Sequence, residues 1–161
     1  MTNLKVEISQ NAEFSSLEEE AFLNILRTSD CLLRSFQKKT RGWGLTSTQY
    51  NVLRILRGAQ PNGLHCAAIG ARMIAAEPDI TRILGRLKNL RLIRQRRDKL
   101  DHRIVWTRIT DTGLQMLQDM DPVMHNAPKE LFGHIGTANL KEMIRLIELA
   151  RQACNNSKPR S

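Results

Sequence analysis

The chain has 161 residues, 41% of them apolar and 25% charged, with 25 Lys and Arg against 16 Asp and Glu for a formal net charge of +9. That length and mix suit a soluble globular protein with a real core rather than a disordered polymer. No apolar run approaches the roughly 20 residues needed to span a bilayer. The opening MTNLKVEISQ lacks the basic and apolar regions of a signal peptide, so a cytoplasmic location and no membrane partner are expected.

In chain order, Phe14, Leu17, Ala21, Phe22, Ile25, Leu32, Leu33 and Phe36 recur at steps of three and four, which predicts a long helix over 13–41. RGWGL breaks it with two glycines. Thr46 and Gln49 have the spacing of a capping box, which opens a second helix over 46–57 with Tyr50, Leu53 and Leu56 on one stripe. GAQPNG reads as a turn, and a short third helix is expected over 65–73. A fourth runs over 77–90, with Pro78 in its first turn and Asp79 near the positive end of its dipole. Its apolar positions Ile80, Ile83, Leu84, Leu87 and Leu90 form an inward stripe. LIRQRR and RIVWTRIT then read as the two strands of a β-hairpin around DKLDH. Thr110 caps a fifth helix from Asp111 into the region of Pro122 and Pro128. A last helix starts near Thr137, where Leu140, Met143, Ile147, Ala150 and Cys154 make a narrow heptad-like seam. That seam either docks on the domain or forms a dimer interface. The tail NNSKPRS is expected to fray.

Charge is distributed unevenly. Residues 72–108 hold eleven basic and four acidic side chains, whereas residues 1–25 hold one Lys and five Glu. A localised basic patch is the footprint of a polyanion partner. Cys31, Cys66 and Cys154 are an odd number at irregular spacing, which fits neither a disulfide framework nor a zinc knuckle. Their apolar or small neighbours point to buried structural thiols. His65, His102, His125 and His134 show no ligand spacing, so no metal and no cofactor are expected.

Three short helices followed by a β-hairpin make a winged helix-turn-helix, within a mainly α fold flanked by N- and C-terminal helices. The fourth helix of the chain is its candidate recognition helix. Thr81, Arg82, Gly85, Arg86, Lys88 and Asn89 fall largely opposite the apolar stripe, while Arg94, Arg96, Arg97, Lys99 and Arg103 lie on the hairpin. Arginine suits guanine edges and phosphates because its planar fork donates two parallel hydrogen bonds.

At LTSTQYNVLRIL, PDITRILGRLKNLRLIRQ, and DHR followed by VWTRITDTG, the chain resembles the MarR family, the multiple-antibiotic-resistance type of regulators. The resemblance covers residues 45–117 by motif and the flanking helices by pattern. It implies one MarR-like domain over 1–161, with the DNA-binding part at 45–110 and helical dimerisation parts at 13–41 and 111–155. It also implies a homodimer on double-stranded DNA that acts as a repressor on a pseudo-palindromic operator. Thr81, Arg82 and Arg86 match recognition-helix contact positions, Arg103 the wing arginine, and Asp101 the aspartate that orients it. Gly85 and His102 depart from the family pattern, which favours aspartate and arginine at those places. Many members release DNA on meeting a small aromatic or phenolic effector, for which Arg41, Trp43, Phe36 and Met73 are the expected lining here. An oxidant response through Cys31 is disfavoured, because Tyr50 is the sole tyrosine. The alternative is an architectural protein that coats DNA without sequence preference. No nucleophile elbow, phosphate loop or dinucleotide fingerprint points to an enzyme.

Overall fold

The computed structural model describes Leu4–Asn156, so the expected fraying of the last residues lies outside the described part of the chain. Two compact units divide the chain, Met1–Asp119 and Met120–Ser161. The first contains α1 (Leu4–Glu7), α2 (Leu17–Arg41), α3 (Ser47–Arg57), β1 (Leu64–His65), α4 (Cys66–Gly70), α5 (Ile80–Asn89), β2 (Ile93–Arg97) and β3 (Val105–Ile109). α6 (Asp111–Phe132) begins in this unit and continues into the second, which also holds α7 (Thr137–Asn156).

Local chemistry sets each boundary. α2 starts four residues later than expected because Ser16 is its N-cap, with its hydroxyl accepting from the Glu19 N–H at 3.2 Å. Glu19 in turn accepts from the Ser15 N–H at 2.6 Å. The Thr46–Gln49 capping box forms in full. Asp79 caps α5, its Oδ1 accepting from the Arg82 N–H at 3.1 Å. Pro78 therefore lies outside the helix instead of in its first turn. α5 ends by crossing back on itself: the Leu92 N–H donates to Leu87 O and the Arg91 N–H to Lys88 O. This places Arg91 at φ 59°, in the left-handed region. Leu90 is the C-cap and 51% exposed, so it does not belong to the inward stripe.

The hairpin is one strand larger than expected. The sheet order is β1-β3-β2, all antiparallel, with Leu64 opposite Thr107 and Ile93 opposite Ile109. Gly63 (φ 77°) permits β1 to approach, because a Cβ there would stand 2.4 Å from Thr107 O. A Cβ at Gly113 would likewise stand 2.4 Å from Leu92 O, so glycine lets the first turn of α6 close against the α5–β2 turn. Val52, Leu53, Leu56, Ile69, Ile83, Leu84, Leu87, Leu92, Ile93, Ile109 and Leu117 form the buried core beneath α3, α5 and the sheet. Burial on the order of 2 kcal/mol for each such side chain holds this part of the first unit together. α2 stands apart from that pattern. Leu17, Phe22, Ile25, Leu26 and Leu33 are all exposed in the single chain, and so are Ile144, Leu146, Ile147 and Leu149 of α7.

Candidate nucleic-acid interface

α5 separates a buried from an exposed face by helical phase. Ile83, Leu84 and Leu87 are buried and Ile80 is half-buried, while Thr81, Arg82, Gly85, Arg86, Lys88 and Asn89 are all exposed. Arg82 and Asn89, three residues before and four after Gly85, flank it on the outward face. The guanidinium of Arg82 is turned back to its own cap, donating from Nε to Asp79 Oδ2 at 2.6 Å. That bond, followed by the Arg82 N–H, holds the Asp79 carboxyl below the usual carboxylate range. The cap thus steers one arginine of the outward face, while Arg86 and Lys88 form no hydrogen bond or ion pair among the described residues, Arg86 acting on Asp79 through its charge alone.

The wing sorts its side chains by strand alternation. Ile93 with Ile109 and Gln95 with Thr107 face inward, and Gln95 donates to the Thr107 hydroxyl at 3.4 Å. Arg94 opposite Arg108 and Arg96 opposite Trp106 share the other face. Like charges directly across a ladder destabilise it, yet no carboxylate pairs with Arg94, Arg96 or Arg108 among the described residues. Arg108 is held at its Nε by the Asn62 carbonyl at 2.9 Å. A groove of about 850 Å³ follows these arginines and is also lined by Arg97, Asp98, Lys99, Leu100 and Trp106. An open cationic groove of this kind suits a chain of phosphates.

Asp98 organises the wing tip. Its Oδ1 accepts from the Leu100 N–H at 2.8 Å and the Asp101 N–H at 3.1 Å, and its Oδ2 accepts from the Trp106 indole at 2.8 Å. These bonds, the Leu100 N–H foremost, hold its carboxyl below the usual range. Asp101 accepts from the backbone N–H of Arg103 at 2.9 Å, whereas the Arg103 Nε stands 3.8 Å away, beyond a hydrogen bond. Asp101 therefore positions the Arg103 backbone more than its guanidinium, and the Arg103 side chain is 96% exposed. Asp98, Trp106 and Arg108 did not stand out as site residues in the sequence. Strand alternation across β3 was the available signal for Trp106 and Arg108.

No protein-family model matches the chain, and no curated protein matches it. Solved structures do. It is 35% identical to a MarR transcription factor from Planctomyces limnophilus, over 85% of this chain and 99% of that one, at a TM-score of 0.67. The chain belongs to the MarR family of transcriptional regulators. The same fold occurs in MepR of S. aureus, solved as a DNA complex, at 17% identity over 88% of this chain and 99% of that one (TM-score 0.74). It occurs again in BpsR of Bordetella bronchiseptica, whose DNA binding is regulated by 6-hydroxynicotinic acid, at 21% identity over 83% and 99% (TM-score 0.72).

In this MarR-family chain the residues expected to line an effector pocket do not gather in either described cavity. Phe36 stands edge-on to Tyr50 with ring centroids 5.6 Å apart. Trp43 and Met73 are half-buried and Arg41 is exposed. The cysteines correct the sequence reading: Cys31, Cys66 and Cys154 are all exposed in the single chain. Apolar neighbours in sequence say little on a helix, because adjacent residues point about 100° apart. Among the described residues, no cluster of His, Cys, Asp or Glu could hold a metal ion, and no helix is long and apolar enough to cross a membrane.

Proposed function

We propose that the chain is a homodimeric, sequence-specific repressor that reads a pseudo-palindromic operator through α5 and grips the flanking backbone with its wing. Thr81, Arg86 and Lys88 read or border the bases, with Arg82 joining them where the DNA displaces its bond to Asp79. Arg94, Arg96, Arg97, Lys99 and Arg103 contact phosphates or the minor groove. The observation that carries this reading is the exposed cationic surface shared by the outward face of α5 and the wing, where Arg86, Lys88, Arg94 and Arg96 form no ion pair among the described residues. Folding alone gains nothing from placing Arg94 opposite Arg108, whereas a phosphate chain neutralises both.

The uncovered apolar residues of α2 and α7 support a homodimer. Two recognition helices then enter successive major grooves about 34 Å apart. The DNA complex of MepR and the ligand-regulated DNA binding of BpsR support an operator-bound state and release by a small aromatic effector. Selection of duplexes from a random pool, followed by footprinting, tests the reading. A two-fold related motif with half-sites one helical turn apart is expected. Equal retention of all sequences would replace this reading with that of an architectural DNA-coating protein.

A further inference from the structure

The wing ends in a side chain that its cations do not explain. Leu100 is 98% exposed, the most exposed of the large hydrophobic residues described. Its neighbours Lys99, Asp101, His102 and Arg103 are exposed and polar. The backbone beneath it is nevertheless firmly held. Asp98 accepts from the Leu100 and Asp101 N–H groups and from the Trp106 indole, the Ile104 N–H donates to Asp101 O at 3.0 Å, and the Asp98 N–H donates to Ile104 O at 2.9 Å. The loop is therefore organised to hold an apolar group out into solvent between Lys99 and Arg103.

A single leucine offers far too little area for a stable protein interface. The Asp98 and Asp101 carboxylates are tied to the loop's own N–H groups, and the Lys99 and Arg103 cations on either side are complementary instead to the negative potential of a minor groove, whose narrowing attracts such groups. We propose that Leu100 is a wedge, driven into the minor groove where the wing docks and opening one base step on each flank of the operator. Apolar wedges of this kind unstack a step and kink the duplex towards the major groove. Burying one leucine offsets the opening of a flexible step better than that of a stiff one. The wedge thus adds a preference for a pyrimidine–purine step at a position the recognition helix does not touch.

The inference rests on the reading that the wing meets DNA, and one experiment separates the two. A duplex selected by the wild-type protein is resynthesised with 2-aminopurine at successive flanking positions. The wild type and Leu100→Ala are then titrated into it at two salt concentrations. Because Leu100 makes no buried contact, the variant keeps its fold, which circular dichroism checks. The wedge predicts a rise in fluorescence at one flanking position per half-site with the wild type and none with Leu100→Ala. It also predicts about a hundredfold weaker binding by the dimeric variant, about tenfold for each of its two buried leucines, at an unchanged salt slope. Equal fluorescence and equal affinity for the two proteins would overturn the wedge while leaving DNA binding intact. If the wild type selects no duplex at all, the reading of the wing as a DNA contact fails and the wedge with it.

Discussion

Replacing Gly85 by alanine separates folding from function in opposite directions. Gly85 lies inside α5, where glycine costs roughly 0.8–1.0 kcal/mol relative to alanine. A Cβ built there meets nothing within 4 Å, and the site is exposed, so no packing is lost. The free protein should therefore gain close to the full propensity term. In a chain of this length, about 1 kcal/mol corresponds to a melting point higher by about 2–4 °C. The same methyl would stand between Arg82 and Asn89 on the outward face. If that face lies against the floor of a major groove, the methyl holds the helix off. The loss expected is about 1–3 kcal/mol, as for one base contact. Thermal unfolding and titration of the selected duplex measure the two effects on the same preparation. A lower melting point would refute the claim of open space. A higher melting point with unchanged DNA affinity would refute close approach by this face.

The remaining predictions concern reading, holding and assembly. Arg86→Ala should cost about 1–3 kcal/mol on the selected duplex and relax discrimination at one position per half-site, whereas Arg103→Ala should weaken selected and scrambled duplexes more evenly, save for the preference that a narrow A·T minor groove at the wing supplies; competition titrations distinguish these. Asp98→Ala frees the Leu100 and Asp101 N–H groups and the Trp106 indole, so it should change Trp106 emission and weaken binding to both duplexes. For the native residue the folded carboxyl lies below its ordinary value, so its contribution to wing order is complete above about pH 4 and is lost as pH falls through the folded value. The Asp98-dependent part of the signal, read as the difference between the native protein and Asp98→Ala, should accordingly stay flat from neutrality to about pH 4 and change only below it. Deleting residues 137–161 removes the exposed apolar face of α7 and should yield monomer or aggregate by light scattering; a folded dimer after the deletion would show that α7 does not hold the copies together.

Much of the reading head was legible because its signals are local. The Thr46–Gln49 box, the inward stripe Ile83, Leu84 and Leu87, and the β-formers of the third strand each declare themselves within a few residues. What escaped falls into two kinds. Some signals were present but outweighed: the Ser16-x-x-Glu19 pattern marks the start of α2, yet the apolar spacing through Phe14 suggested an earlier one. Others have no local signature. The two-residue strand β1 exists only through its pairing with β3, and the Asp98 to Trp106 bond spans eight residues and depends on hairpin register. Exposure of Cys31 and of the α2 apolar face is not a property of the sequence pattern, which marks a face as apolar without saying what covers it.

The central claim is that the α5 and wing cations meet DNA phosphates while the outward face of α5 reads bases. Affinity for the selected and the scrambled duplex across a salt series tests both halves together. If about six phosphates are neutralised per dimer, log affinity should fall against log salt with a slope on the order of −5 on either duplex. The selected duplex should remain tighter by a factor of at least about 10³. A slope near −1, or selected and scrambled duplexes binding equally at every salt concentration, would contradict the account.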